Sequence, residues 1–101
     1  MEVADALNLV YECLLGENSL PLQLRMQQGL DEKRFAELTV ALRVLIAHYR
    51  SKHEVPKQLA LCMVDIYGAF SFKEGFYEAE ESNRIEDAGI LLQELATELF
   101  T

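Results

Sequence analysis

Six acidic side chains, Glu74, Glu78, Glu80, Glu81, Glu86 and Asp87, fall within one short stretch of the chain, opposed locally only by Lys73 and Arg84. Phe70, Phe72, Phe76 and Tyr77 sit among or beside them, and Gly75 interrupts the run. Two readings of this stretch are open. In the first, Glu86 and Asp87 feed negative charge into the positive end of a helix, and the aromatics form a lid over the core, phenylalanine being one of the more often buried residues. In the second, the surface from Phe72 to Asp87 recognises a basic protein partner. Glu74, Glu78, Glu80 and Glu81 attract it, while Phe72, Phe76 or Tyr77 anchor it, because rim charges mainly set association rate and desolvated aromatics set lifetime.

Other chemistry finds less support. Cys13 and Cys62 each lie on the apolar stripe of a helix with no Lys, Arg or His within two positions to stabilise a thiolate, so they read as buried thiols of low reactivity. Their spacing matches no zinc motif. His48 and His53 are five residues apart, whereas two metal ligands on one helical face need three or four. The expectation is no metal and no cofactor. No G-x-S-x-G, glycine-rich phosphate loop or H-E-x-x-H is present, which leaves no residues to assign as catalytic.

The whole chain narrows the class further. Its net charge of −8 disfavours nucleic acid and anionic membrane surfaces, which would repel it, and suits a basic protein. Residues 51–101 hold ten acids and four bases, against seven and five in residues 1–50, so the second half carries the field. Arg43, Arg50, Lys52 and Lys57 gather near an elbow at Pro56. A homodimer in which this basic elbow meets the acidic stretch of a second copy is therefore a further expectation. No apolar run reaches the about 20 residues of a membrane span, and the N-terminal MEVADAL is acidic where a secretory signal would be basic, so a cytoplasmic protein is expected.

Positioning these residues falls to helices. At 101 residues, half of them apolar, the chain is expected to form one domain over residues 1–101. The longest uninterrupted helical pattern runs from Asp31 to Lys52, with Asp31 as cap and an apolar stripe of Phe35, Leu38, Leu42, Leu45, Ile46 and Tyr49. Val40, Ala41, Val44 and Ala47 widen that stripe, so this helix is expected at the centre of an all-α bundle of four to five helices.

Before it, residues 2–15 form an amphipathic helix stopped by Gly16, and Ser19 caps a short one with Pro21 in its first turn. After it, Lys57 to about Phe70 forms another helix, residues 71–81 form a loop with at most a helical turn, and Asn83 with Glu86 resembles a capping box for a last helix. The functional expectation is a non-catalytic interaction protein, such as an inhibitor, immunity protein or chaperone, that covers a basic surface. A small helical enzyme or ligand-binding domain is the alternative, and a homodimeric structural protein a third.

Overall fold

Two side-chain oxygens set the entry to the middle of the chain. Ser19 Oγ accepts from the Leu22 N–H at 3.3 Å and starts α2 (Leu20–Arg25), with Pro21 in the first turn where a missing amide does no harm. Asp31 Oδ1 accepts from the Arg34 N–H at 3.1 Å and starts α3 (Glu32–Tyr49). The computed structural model describes all 101 residues and is all-helical, without strands. Around α2 and α3 stand α1 (Val3–Leu15), α4 (Lys57–Met63), the single turn α5 (Ile66–Ala69) and α6 (Ala79–Leu99).

The long helix α3 packs against both α1 and α6, α4 packs on α1, and α5 packs on α6. Leu38, Ala41, Leu42 and Leu45 of α3 are completely buried and meet Val10 of α1 and Leu92 of α6 in one core. Their spacing of three and four residues produces that stripe. It is narrower than the periodicity alone implied: Val40 and Ala47 face outward, and Val44 is half-buried. His48 is exposed too, its ring edge-on to Tyr49 at 4.7 Å between centroids.

Three element boundaries depart from the sequence reading. Gly16 ends α1 in extended rather than left-handed geometry, at φ −69° and ψ 173°. The helix expected from Lys57 to Phe70 breaks at Val64–Asp65. One straight helix could not lay its first half on α1 and its second on α6, so tertiary packing overrides the local period. The last helix starts at Ala79, not after Asn83, which is an exposed residue within α6. Glu78 takes the cap position without a side-chain bond, and Glu80 and Glu81 supply first-turn negative charge instead.

Gly89 makes the α5–α6 contact close. A methyl group there would lie 2.8 Å from Phe70 Cβ, an atom fixed to the backbone. Gly89→Ala should therefore lower the urea midpoint, even though alanine gains about 1 kcal/mol of helix propensity over glycine. Leu42→Ala should cost about 2–5 kcal/mol in the same assay, as a fully buried leucine does, while Val40→Ala should stay within about 0.5 kcal/mol. Equal losses at both positions would contradict this placement of α3.

Candidate functional site

The backbone between α2 and α3 has polar groups that no helix can satisfy. Gly29 and Leu30 precede the cap of α3, so their amides need partners from elsewhere in the chain. Tyr77 and Glu81 provide them. The Tyr77 hydroxyl accepts from the Gly29 N–H at 3.2 Å and donates to the Leu24 carbonyl at 2.6 Å, while Glu81 Oε2 accepts from the Leu30 N–H at 2.7 Å. Gln27, itself at a positive φ of 59°, donates from Nε2 to the Phe76 carbonyl at 3.1 Å. Gly29, at φ 81°, takes a conformation that side chains resist, and a Cβ there would crowd Glu81 Oε2.

Glu81 is thereby committed on both oxygens. Its Oε1 accepts from Arg84 Nε at 2.9 Å, and this pair is the chain's one salt bridge. The Leu30 N–H, then the Arg84 guanidinium, hold the Glu81 carboxyl below the usual glutamate range. Phe72, Phe76 and Tyr77 are half-buried and packed together. Phe72 stacks on Phe76 at 4.9 Å between centroids, and Tyr77 meets the two edge-on at 5.8 and 5.2 Å. A turn closed by the Phe76 N–H on the Lys73 carbonyl, with Gly75 at φ 88°, carries these rings.

The acidic stretch thus divides by task. Glu74, Glu78, Glu80 and Glu86 are exposed and have no cation within salt-bridge distance. Asp87 is exposed as well, but lines a groove with Leu30, Phe35 and Arg84 on the α3 side of α6. Glu86 points the other way. It borders a hollow of about 180 Å³ between α5, the 70–78 connection and α6, walled by Tyr67, Phe70, Phe72 and Tyr77.

Sequence reasoning missed the structural role of Tyr77 and Glu81, because their partners lie about fifty residues away and carry no motif. It also missed Tyr67 as a wall of the hollow and Leu61 and Val64 as exposed apolar residues. A signal existed for the last two, since both fall off the Leu59, Cys62, Met63, Ile66 stripe. Cys13 and Cys62 are free and buried, and burial pushes the Cys62 thiol up to about 11, so it is protonated at neutral pH. Burial also raises Cys13, with Arg34 opposing. No three His, Cys, Asp or Glu side chains are grouped so as to hold a metal ion.

Tyr77→Phe deletes two hydrogen bonds and strands the Gly29 amide, which should cost about 1–3 kcal/mol by urea denaturation. Glu81 gives a pH signature. Its folded-state value is depressed, so its contribution is complete above the ordinary glutamate value of about 4.3 and is lost as pH falls through the lower folded value. Glu81→Gln should therefore flatten the acid limb of stability against pH, and an unchanged limb would argue against the Leu30 and Arg84 contacts.

Comparison of the chain with protein-family models, with curated proteins and with solved structures finds no match.

Proposed function

We propose that this chain is a non-catalytic, cytoplasmic interaction protein, of the inhibitor, immunity-protein or chaperone kind, which covers a basic surface of another protein with its α5–α6 end. One observation carries the reading: an aromatic-walled hollow bordered by Glu86, in a stretch where Glu74, Glu78 and Glu80 also have no internal cation. Carboxylates left unpaired in a chain of net charge −8 keep their field available to a partner. The hollow gives that partner an apolar seat.

At this hollow, size favours an inserted protein side chain over a drug-sized ligand, although the grooves along α4 are larger, at about 410 and 360 Å³. Pockets for drug-sized ligands usually enclose about 300–1,000 Å³. A hollow of about 180 Å³ suits one inserted side chain, the way interfaces hold an anchor. Of the anchors expected from sequence, Phe72 and Tyr77 wall the hollow and Tyr67 joins them, while the Tyr77 hydroxyl and Glu81 also hold the chain's own backbone. Asp87, on the far flank of α6, falls outside the footprint. The two buried free thiols suit a reducing compartment.

The test is to recover the partner from native cells by mild cross-linking and measure binding kinetics with the purified pair. Glu78→Lys combined with Glu80→Lys should slow association about tenfold at low salt and flatten its salt dependence, with dissociation little changed. Tyr67→Ala should instead speed dissociation. A partner whose contact surface is acidic, or kinetics indifferent to all three substitutions, would overturn the proposal.

A further inference from the structure

The break between α4 and α5 leaves an apolar ridge without a neighbour. Leu61 is 61% exposed and Val64 77%, three residues apart at the end of α4, and Tyr67, 56% exposed, follows beyond the break. Grooves run on both sides of the ridge. One is lined by Val64, Ala96 and Phe100, and the other by Leu15, Pro21 and Leu61. Large apolar side chains this exposed beside one another mark a contact surface.

The charges on the ridge identify what covers it. Lys57 stands four residues before Leu61 and Asp65 four residues after it, both exposed and neither in a salt bridge within the chain. At about 1.5 Å per residue Lys57 lies about 6 Å from Leu61 along α4, and Asp65 follows on the other side, at the break. A uniformly basic partner would meet repulsion at Lys57, and a uniformly acidic one at Asp65. A second copy laid antiparallel meets neither. A two-fold axis at Leu61 sets each Lys57 against Asp65 of the other copy and the two Leu61 side chains against each other, because a two-fold contact is self-complementary. We infer that the α4–α5 ridge is a homodimer interface centred on Leu61. The basic elbow then meets Asp65 rather than the acidic stretch around Glu80.

Sedimentation equilibrium of the full chain across the micromolar range tests this. The wild-type protein should be a monomer–dimer system, and Leu61→Asp should weaken dimerisation about 100-fold or more, since a two-fold centre is altered from both sides. Circular dichroism should show the same helix content for that variant, Leu61 being an exposed residue. Lys57→Glu and Asp65→Lys should each weaken the dimer, and the two combined in one chain should restore it. The double variant decides the matter if Leu61→Asp fails to fold. A wild-type monomer throughout the range, a dimer indifferent to Leu61→Asp, or charge reversals that do not compensate would each overturn the inference.

Discussion

Two backbone amides ahead of α3 set the terms for much of this molecule. Gly29 and Leu30 lie in a connection that leaves α2 through a left-handed Gln27 and enters α3 at Asp31, where regular structure offers them no acceptor. A half-buried amide without a partner costs about 1–3 kcal/mol, a large share of the stability of a domain this size. Tyr77 and Glu81 supply the acceptors from the other half of the chain. The same contacts fix where α6 begins, because Glu81 lies in its first turn and Tyr77 just before it.

That constraint divides the acidic, aromatic stretch into groups bonded within the chain and groups left exposed. The Glu81 carboxylate is held by the Leu30 N–H and Arg84, and the Tyr77 hydroxyl both accepts and donates, so these polar groups are committed within the chain while the Tyr77 ring still walls the hollow. The neighbouring acids have no such partners. In a small domain the core cannot absorb every apolar group either, and Leu61, Val64 and Tyr67 at the α4–α5 break are among those left exposed. One surface is acidic with an aromatic seat, the other apolar between charges of opposite sign.

Much of the fold was legible because its causes are local. Ser19 and Asp31 cap the helices they precede, Pro56 ends the elbow just before α4, and the three- and four-residue spacing of Leu38, Leu42 and Leu45 describes the buried face of α3. What was illegible depends on contacts between distant residues. Asn83 looks like a cap in isolation, but the clamp onto residues 24–30 starts the helix a turn earlier. Leu59 to Phe70 reads as one periodic helix, yet its halves belong to different neighbours. Gly89 has no local signature at all, since its role is the room it gives Phe70. Of the candidate site, the exposed charge was legible and the division of labour within it was not.

Native-state hydrogen exchange resolved by residue measures the clamp directly, because it reports the two amides on which it acts. The Gly29 and Leu30 amides should exchange slowly, through the same opening that exposes the first turns of α3, although neither belongs to a helix. If both instead exchange as fast as the exposed amides around Glu74 while α3 stays protected, Tyr77 and Glu81 do not hold this connection. The division of the acidic stretch into fasteners and free surface would then be wrong.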